Sequence, residues 1–593
     1  MRKIEKKQKK SKNGTYKSRM NFVVMLLTWY DTPIMESVQV NSKLSTLPAE
    51  NAINSDHGEC TIFRYGEKEN RGDIEMASAQ LEEIQIFKQG LHQRHIQMIA
   101  LAGTIGTGLF LSSGQAIAAA GPLGAFMAYS IVGLSVSSVI FAVGEMGALV
   151  PLNGGVIRYA ELFCDPALAF ANGWNQIYSY LVSIPAELVA AAVIVEFWAT
   201  VNNAIWITIF GLLMVMTALV FVRVYGELEF CFSILKIMLI VAINIMALVV
   251  TCGGGPNHTA IGFSYWVKPG PMVQYLGVPG SLGRFLGFWK TFDNALYAYS
   301  GIENITVAAA ETKNPRTAIP MAARRIFFRI LIFYVLTIFM VGLVVPSDDP
   351  SLLNSTNTAS QSPFVIAARN AGIKVFPSVI NAVVLTSAWS SGNSNMLGGS
   401  RILFGMAVHG HAPAIFKRTS RFGIPYVAVM LYGLFMGLGY MTLSSSASNV
   451  FSWMQSIVSI STLVNFICIC IVYLRFVYGC QKQGIDRHQE LPWAAPFQPF
   501  TTWVSLLIFV LLLFTGGFTT FMKGRWSTET FISSYINLPL FVMVYAGYKL
   551  FMKTKILPLE DIPIRPFIES ARNSPEPPVK RKRGLARLNI LWS

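Results

Sequence analysis

The chain has 593 residues, 53% of them hydrophobic and only 13% charged, with a net charge of +16 and a mean hydropathy of +0.48. Soluble domains carry about 25% charged residues, so a soluble enzyme, a disordered regulator and a collagen-like fibre are all excluded. What remains is an all-α polytopic membrane protein, in which each spanning helix needs about 20 mostly apolar residues.

Residues 1–90 are polar and patternless apart from the short apolar run 21–30. Nine Lys and Arg against one acid fall within residues 1–19 and supply half of the net charge. This composition reads as a cytosolic tail facing anionic lipid rather than as a nucleic-acid binder. Met35 and Met76 offer alternative starts, and no function is placed on the tail.

Apolar runs then follow in series, at 96–119, 122–149, 166–198, 204–222, 230–251, 284–310, 326–345, 375–398, 424–443, 449–474, 500–521 and 535–552. These predict twelve transmembrane helices within a domain of residues 91–552, followed by a C-terminal tail over 553–593. With the N-terminus cytosolic, twelve Lys and Arg fall in the inner loops and six in the outer ones. That bias, and the even number of spans, predict that both termini are cytoplasmic.

Two spans are interrupted by small residues. The first reads Ala102-Gly103-Thr104-Ile105-Gly106-Thr107-Gly108, and the sixth Tyr299-Ser300-Gly301-Ile302-Glu303-Asn304. They stand five spans apart, so a second copy of a five-helix repeat would enter the membrane from the opposite side. The expected layout is a 5+5 inverted repeat with broken helices 1 and 6, plus two further helices. Breaks at matching positions in two halves point to a transporter binding site. Unwound backbone is tolerated there only if it lines a cavity or is buried in protein. The plainer alternative is close helix packing at small residues.

The chemistry follows from the exposed backbone. Free N–H groups at Thr107, Gly108 and Leu109 would attract a carboxylate. Carbonyls at Tyr299, Ser300 and Gly301 would accept from an ammonium. The pair suits the zwitterionic backbone of an amino acid. Ionisable residues inside apolar spans are functional candidates. Lys236 is a candidate proton carrier, the alternative being a lysine snorkelling to the interface. Glu303 follows the second break and could line the pathway, hold the unwound backbone or carry the proton. Glu187 lies beside Pro185, Glu145 reads as structural, and Lys290 and Asp293 share a helical face. The seven cysteines form no C-x-x-C pair or zinc spacing, so no metal site and no disulfide framework are expected. The run 103–108 is no phosphate loop, because no Lys follows it. No enzyme activity and no cofactor are expected.

Several strings carry a resemblance: RHIQMIALAGTIGTGLF (94–110), GEM (144–146), YSGIE (299–303), AAAETKNPRTAIP (308–320) and QGIDR (483–487). The chain resembles the fungal amino-acid permeases of the amino acid–polyamine–organocation superfamily, and within them the dicarboxylic branch. The resemblance implies a proton-coupled symporter that imports L-amino acids across the plasma membrane, acidic ones (Glu, Asp) favoured. Its partners would be substrate, proton and membrane lipid, with no nucleic acid. It puts the substrate on Thr104, Gly106, Thr107, Gly108, Tyr299, Ser300, Gly301 and Glu303, and proton coupling on Lys236 and Glu303. The branch usually has Gly-Gly where Ala102-Gly103 stands, and N-S-D where Asn393-Ser394-Asn395 stands. Two alternatives remain: a permease for neutral or broad-range amino acids, and a non-transporting amino-acid sensor on the same bundle.

Overall fold

The computed structural model describes residues 106–576, apart from 153–154, 200, 221, 257, 304–313, 354–361, 421–422 and 574. The basic tail and Thr104 therefore lie outside the described residues. Those described are helical, with no strand among them. Six of their helices are long and apolar enough to cross a membrane, or seven if the pair Thr528–Tyr535 and Asn537–Met552, bent by 41°, is one span.

The main elements are α1 (Thr107–Phe110), α2 (Ser112–Leu149), α3 (Gly155–Phe163), α4 (Pro166–Val195), α5 (Asn203–Val220) and α6 (Val222–Thr251). They continue with α7 (Gly280–Ala298), α8 (Pro315–Arg329), α9 (Leu336–Val344), α10 (Pro363–Asn370), α11 (Phe376–Val408) and α12 (Tyr426–Phe435). The last are α13 (Ala447–Lys482), α14 (Phe500–Thr515), α15 (Thr528–Tyr535), α16 (Asn537–Met552) and α17 (Ile564–Asn573).

Local sequence sets most boundaries. Gly121 (φ +76°), followed by Pro122, interrupts α2 where the first two predicted spans meet. Only a residue without Cβ adopts that φ cheaply. Asp165 caps α4 by accepting from the Ala167 N–H at 3.0 Å, with Pro166 in the first turn. Helix α8 begins at Pro315, eleven residues before the predicted seventh span, because its polar first turns lack the apolar signal. A π-helical segment, Ile330–Val335, joins it to α9.

Helices α2, α4 and α13 form the centre, with α7 against α2 and α11 against α4. Their buried side chains are mostly small or aliphatic. The outer helices turn apolar residues outward as well, among them Leu212, Met238, Leu434, Leu507 and Met543. Helices apolar on every side match a lipid surrounding.

Residues 553–576 are held against the bundle. Ile562, Ile564, Phe567 and Ile568 are buried. The Gln483 side-chain amide donates to the carbonyls of Leu559, Glu560 and Ile562. The Glu576 carboxylate accepts from the backbone N–H groups of Arg316 (2.8 Å) and Thr317 (3.0 Å). These N–H groups open α8 and have no partner within that helix, so an acid there is favourable. Phe567→Ala should remove about 3–5 kcal/mol of packing. The expected result is a lower melting temperature in detergent and less protein at the membrane. An unchanged melting temperature would show that α17 does not dock.

Candidate functional site

The first break is visible from Gly106 onward. Gly106 is extended (φ −116°, ψ −158°) and Thr107 begins α1. Gly108 lies against the end of α7, where an added Cβ would stand 2.7 Å from the Ala298 Cα. Helix α7 stops at Ala298, and Gly301 takes φ +78°, a conformation that favours glycine. Both breaks border a cavity of about 660 Å³, open mouth included.

Of the residues named from sequence, Gly106, Gly108, Ser300, Gly301 and Glu303 line that cavity. Thr107 reaches it through a carboxylate that the sequence did not assign to the site. Its hydroxyl donates to Glu187 Oε2 at 3.0 Å, and the Ser391 hydroxyl donates to Glu187 Oε1 at 3.1 Å. The Tyr297 hydroxyl lies 3.4 Å from the Thr107 hydroxyl. Four elements thus meet: α1, α4, α7 and α11. Glu187 is buried, and a buried carboxylate needs such partners. The sequence signal was an ionisable residue in an apolar run, whose partner 80 residues away could not be read locally.

Tyr299 differs from expectation in the direction of its ring. The ring is fully buried away from the cavity, 4.7 Å from Tyr334 and 6.2 Å from Tyr129 between centroids. Its hydroxyl donates to the Tyr129 carbonyl at 3.1 Å. Only its backbone is left for substrate. The aromatic residues that line the cavity are Tyr180 and Tyr297, the latter packed edge-on to Phe451 at 5.8 Å.

Glu303 Oε1 accepts from the Asn465 side-chain amide at 2.8 Å. Asn465 Oδ1 accepts in turn from Asn172 (3.0 Å) and Gln176 (3.1 Å). This chain of amides ties the second break to α13 and α4. Sequence reading did not single out Asn465, because an amide in an apolar helix carries no charge signal.

Lys236 does not border the cavity among the described residues. It is fully buried, so the snorkelling alternative does not hold here. Its ammonium donates to the Ser390 hydroxyl at 3.1 Å and stands 4.0 Å from Glu229 Oε1. The Ser390 hydroxyl donates to Glu229 Oε2 at 2.7 Å. Away from the cavity, Glu145 is paired with Arg487 at 2.8 Å and also accepts from Tyr473. Lys290 and Asp293 bond each other at 3.0 Å, and Ser456 donates to Asp293.

The sequence model of the family described as "Amino acid permease" matches residues 95–560. The chain is 38% identical over 490 residues to the dicarboxylic amino acid permease of Saccharomyces cerevisiae, covering 82% of this chain and 80% of that one. It is 39% identical over 479 residues to the proline-specific permease of the same yeast, covering 79% and 76%. It is 35% identical over 486 residues to that yeast's basic amino-acid permease, covering 82% and 84%. Among solved structures, variants of the manganese transporter of Eremococcus coleocola superpose with a TM-score of 0.52. One of them is 12% identical, covering 85% of this chain and 98% of that one. At that identity the likeness concerns the fold alone.

Proposed function

This chain belongs to the amino acid permease family, whose members are multi-pass membrane transporters, and we propose that it imports L-amino acids together with protons across a fungal plasma membrane. The observation that carries this reading is the hydrogen bond from Thr107, at the start of α1, to the buried Glu187 carboxylate. The N–H groups that open α1 suit a carboxylate, and the substrate's would join the Glu187 carboxylate there. A substrate carboxylate there would stand beside Glu187, and two carboxylates in one site do not both ionise readily. Substrate therefore favours protonated Glu187, and a proton on Glu187 favours substrate. That reciprocity is coupling.

Of the two carriers expected from sequence, Lys236 is off the cavity and engaged by Ser390 and Glu229. We assign it the role of fixed cation and give the exchanged proton to Glu187. Glu303 holds the second break through Asn465. Glu303→Gln should then slow uptake but leave its pH dependence intact. A flat pH profile in that variant would move the proton to Glu303.

In this reading the transport domain spans residues 91–552 between cytosolic tails, with twelve spans in a 5+5 inverted repeat and two more. The two breaks, five predicted spans apart, support it.

The cavity lining disfavours substrates with an acidic side chain. Its described residues include the carboxylates Glu187 and Glu303, the amides of Asn175, Gln176, Asn395 and Asn465, and several hydroxyls, but no Lys, Arg or His. An acidic side chain would be buried there without a counter-ion, which is costly. The similarity to a dicarboxylic amino acid permease favours a second reading, acidic amino acids. Uptake of the twenty labelled amino acids by a permease-deficient fungal cell expressing the chain decides between them. Neutral amino acids are expected to be taken up best. Preferential uptake of glutamate and aspartate would reverse the assignment, and uptake of none would favour a sensor.

A further inference from the structure

The buried pair Lys236 and Glu229 has no place on the cavity surface, yet it stands behind the groups that form it. Lys236 and Glu229 lie on α6, two turns apart, and Ser390 of α11 bridges them. Ser390 precedes Ser391, whose hydroxyl donates to Glu187. One turn of α11 thus contacts both acids, Glu229 on one side and Glu187 on the other.

Among the described residues, the charges at this centre are two carboxylates and one ammonium. Glu229 and Glu187 are the carboxylates whose fields reach Lys236. Helix α5 and α9, which also pack on α6, bring no titratable side chain. Helix α10 brings Arg369, which is exposed. From α11, Ser390 and Ser394 face the pair as hydroxyls. A buried ammonium needs one full counter-charge. The bridged Glu229 supplies it, which leaves Glu187 as the acid without a dedicated cation among the described residues.

We propose that Glu229 is a positioning residue of the coupling centre, holding Lys236 through Ser390 so that the ammonium does not pair with Glu187 and Glu187 stays available to the proton. This rests on the reading of Glu187 as the proton-exchanging group. Without Glu229, the carboxylate among the described residues whose field still reaches Lys236 is Glu187, and the ammonium turns to it. An ion pair with Lys236 keeps Glu187 ionised, and a higher proton concentration is then needed to load it. The position of the pH profile changes, rather than its height.

The test is the pH profile of uptake in permease-deficient fungal cells expressing the full chain. The probe is the labelled amino acid with the highest uptake in the panel described above, and the amount of protein at the plasma membrane is measured in parallel. Glu229→Gln should move the midpoint of the profile to lower pH by about one unit, a tenfold higher proton concentration. Uptake at the acid plateau should stay within about twofold of wild type. Glu229→Asp should restore most of the shift, and Ser390→Ala should move the midpoint in the same direction by less. Glu187→Gln, alone or with Glu229→Gln, should give a flat profile. A wild-type midpoint in Glu229→Gln that reaches the membrane overturns the proposal, while a flat Glu187→Gln profile still upholds Glu187 as the proton site. A wild-type profile in Glu187→Gln refutes that underlying reading instead. If Glu229→Gln fails to reach the membrane, Ser390→Ala carries the test, and an unchanged midpoint in it overturns the proposal.

Discussion

Glu187→Gln is expected to abolish concentrative uptake while leaving substrate exchange in place. Glutamine keeps the length of the side chain and one oxygen for the Thr107 hydroxyl, which donates to Glu187 at 3.0 Å. Its amide also leaves a group for Ser391, whose hydroxyl can accept as well as donate. The packing of α1 against α4 is therefore retained and only the titration is lost. In the wild-type protein, acidifying the outside protonates Glu187 and removes the repulsion on the substrate carboxylate. Apparent affinity should rise as pH falls, by about 5- to 150-fold if the coupling is of ordinary size. In the variant it should be pH-independent and close to the acid value of the wild type. Accumulation against a gradient should fall to the level of equilibration. Measuring uptake and counterflow at several external pH values checks both parts. Concentrative uptake at the wild-type level would remove Glu187 from the coupling.

Gly108→Val should be the most damaging single change in the first break. The added Cβ meets the Ala298 Cα at 2.7 Å, the Ala298 N at 3.1 Å and the Tyr297 ring at 3.1 Å. Two of these three are backbone atoms at the last turn of α7, which cannot rotate away. The two broken helices must separate, and both line the cavity. Overpacking costs about 1–3 kcal/mol, and a displacement of about 1 Å at a positioned site can cost about 100-fold in rate. Even Gly108→Ala should lose most uptake, and the Val variant should fall below detection while still reaching the membrane. Sequence reading ascribes the need for glycine to close approach of substrate, whereas the structure adds a second cause, contact between α1 and α7. Normal uptake by Gly108→Val would detach the first break from the site.

Much of this was legible without coordinates because it depends on neighbours along the chain. Hydropathy marks lipid-facing helices, since a spanning segment must be apolar over its whole length. The small-residue runs at 103–108 and 299–303 mark backbone that departs from helix, and the described parts do so at Gly106 and Gly301. Where the sequence signal faded, so did the boundary. The helix containing the seventh span starts at Pro315, and the eighth runs on to Val408, because polar turns near the membrane ends look like loops.

What only the tertiary structure decided is which side chains share a space. Thr107 meets Glu187 across 80 residues, and Glu303 meets Asn465 across 162. Tyr297 lines the cavity while the Tyr299 ring is buried away from it, because helical positions two apart point about 200° apart. Lys236 is read from sequence as an isolated charge in an apolar run, but folding gives it Glu229 and the Ser390 bridge. Residues 553–576 read as a tail, yet their apolar residues close against the bundle. Sequence fixes what each segment requires of its surroundings, through hydropathy, charge and backbone freedom. The partner that meets the requirement is set by helix packing, which brings together residues whose separation along the chain carries no local signal.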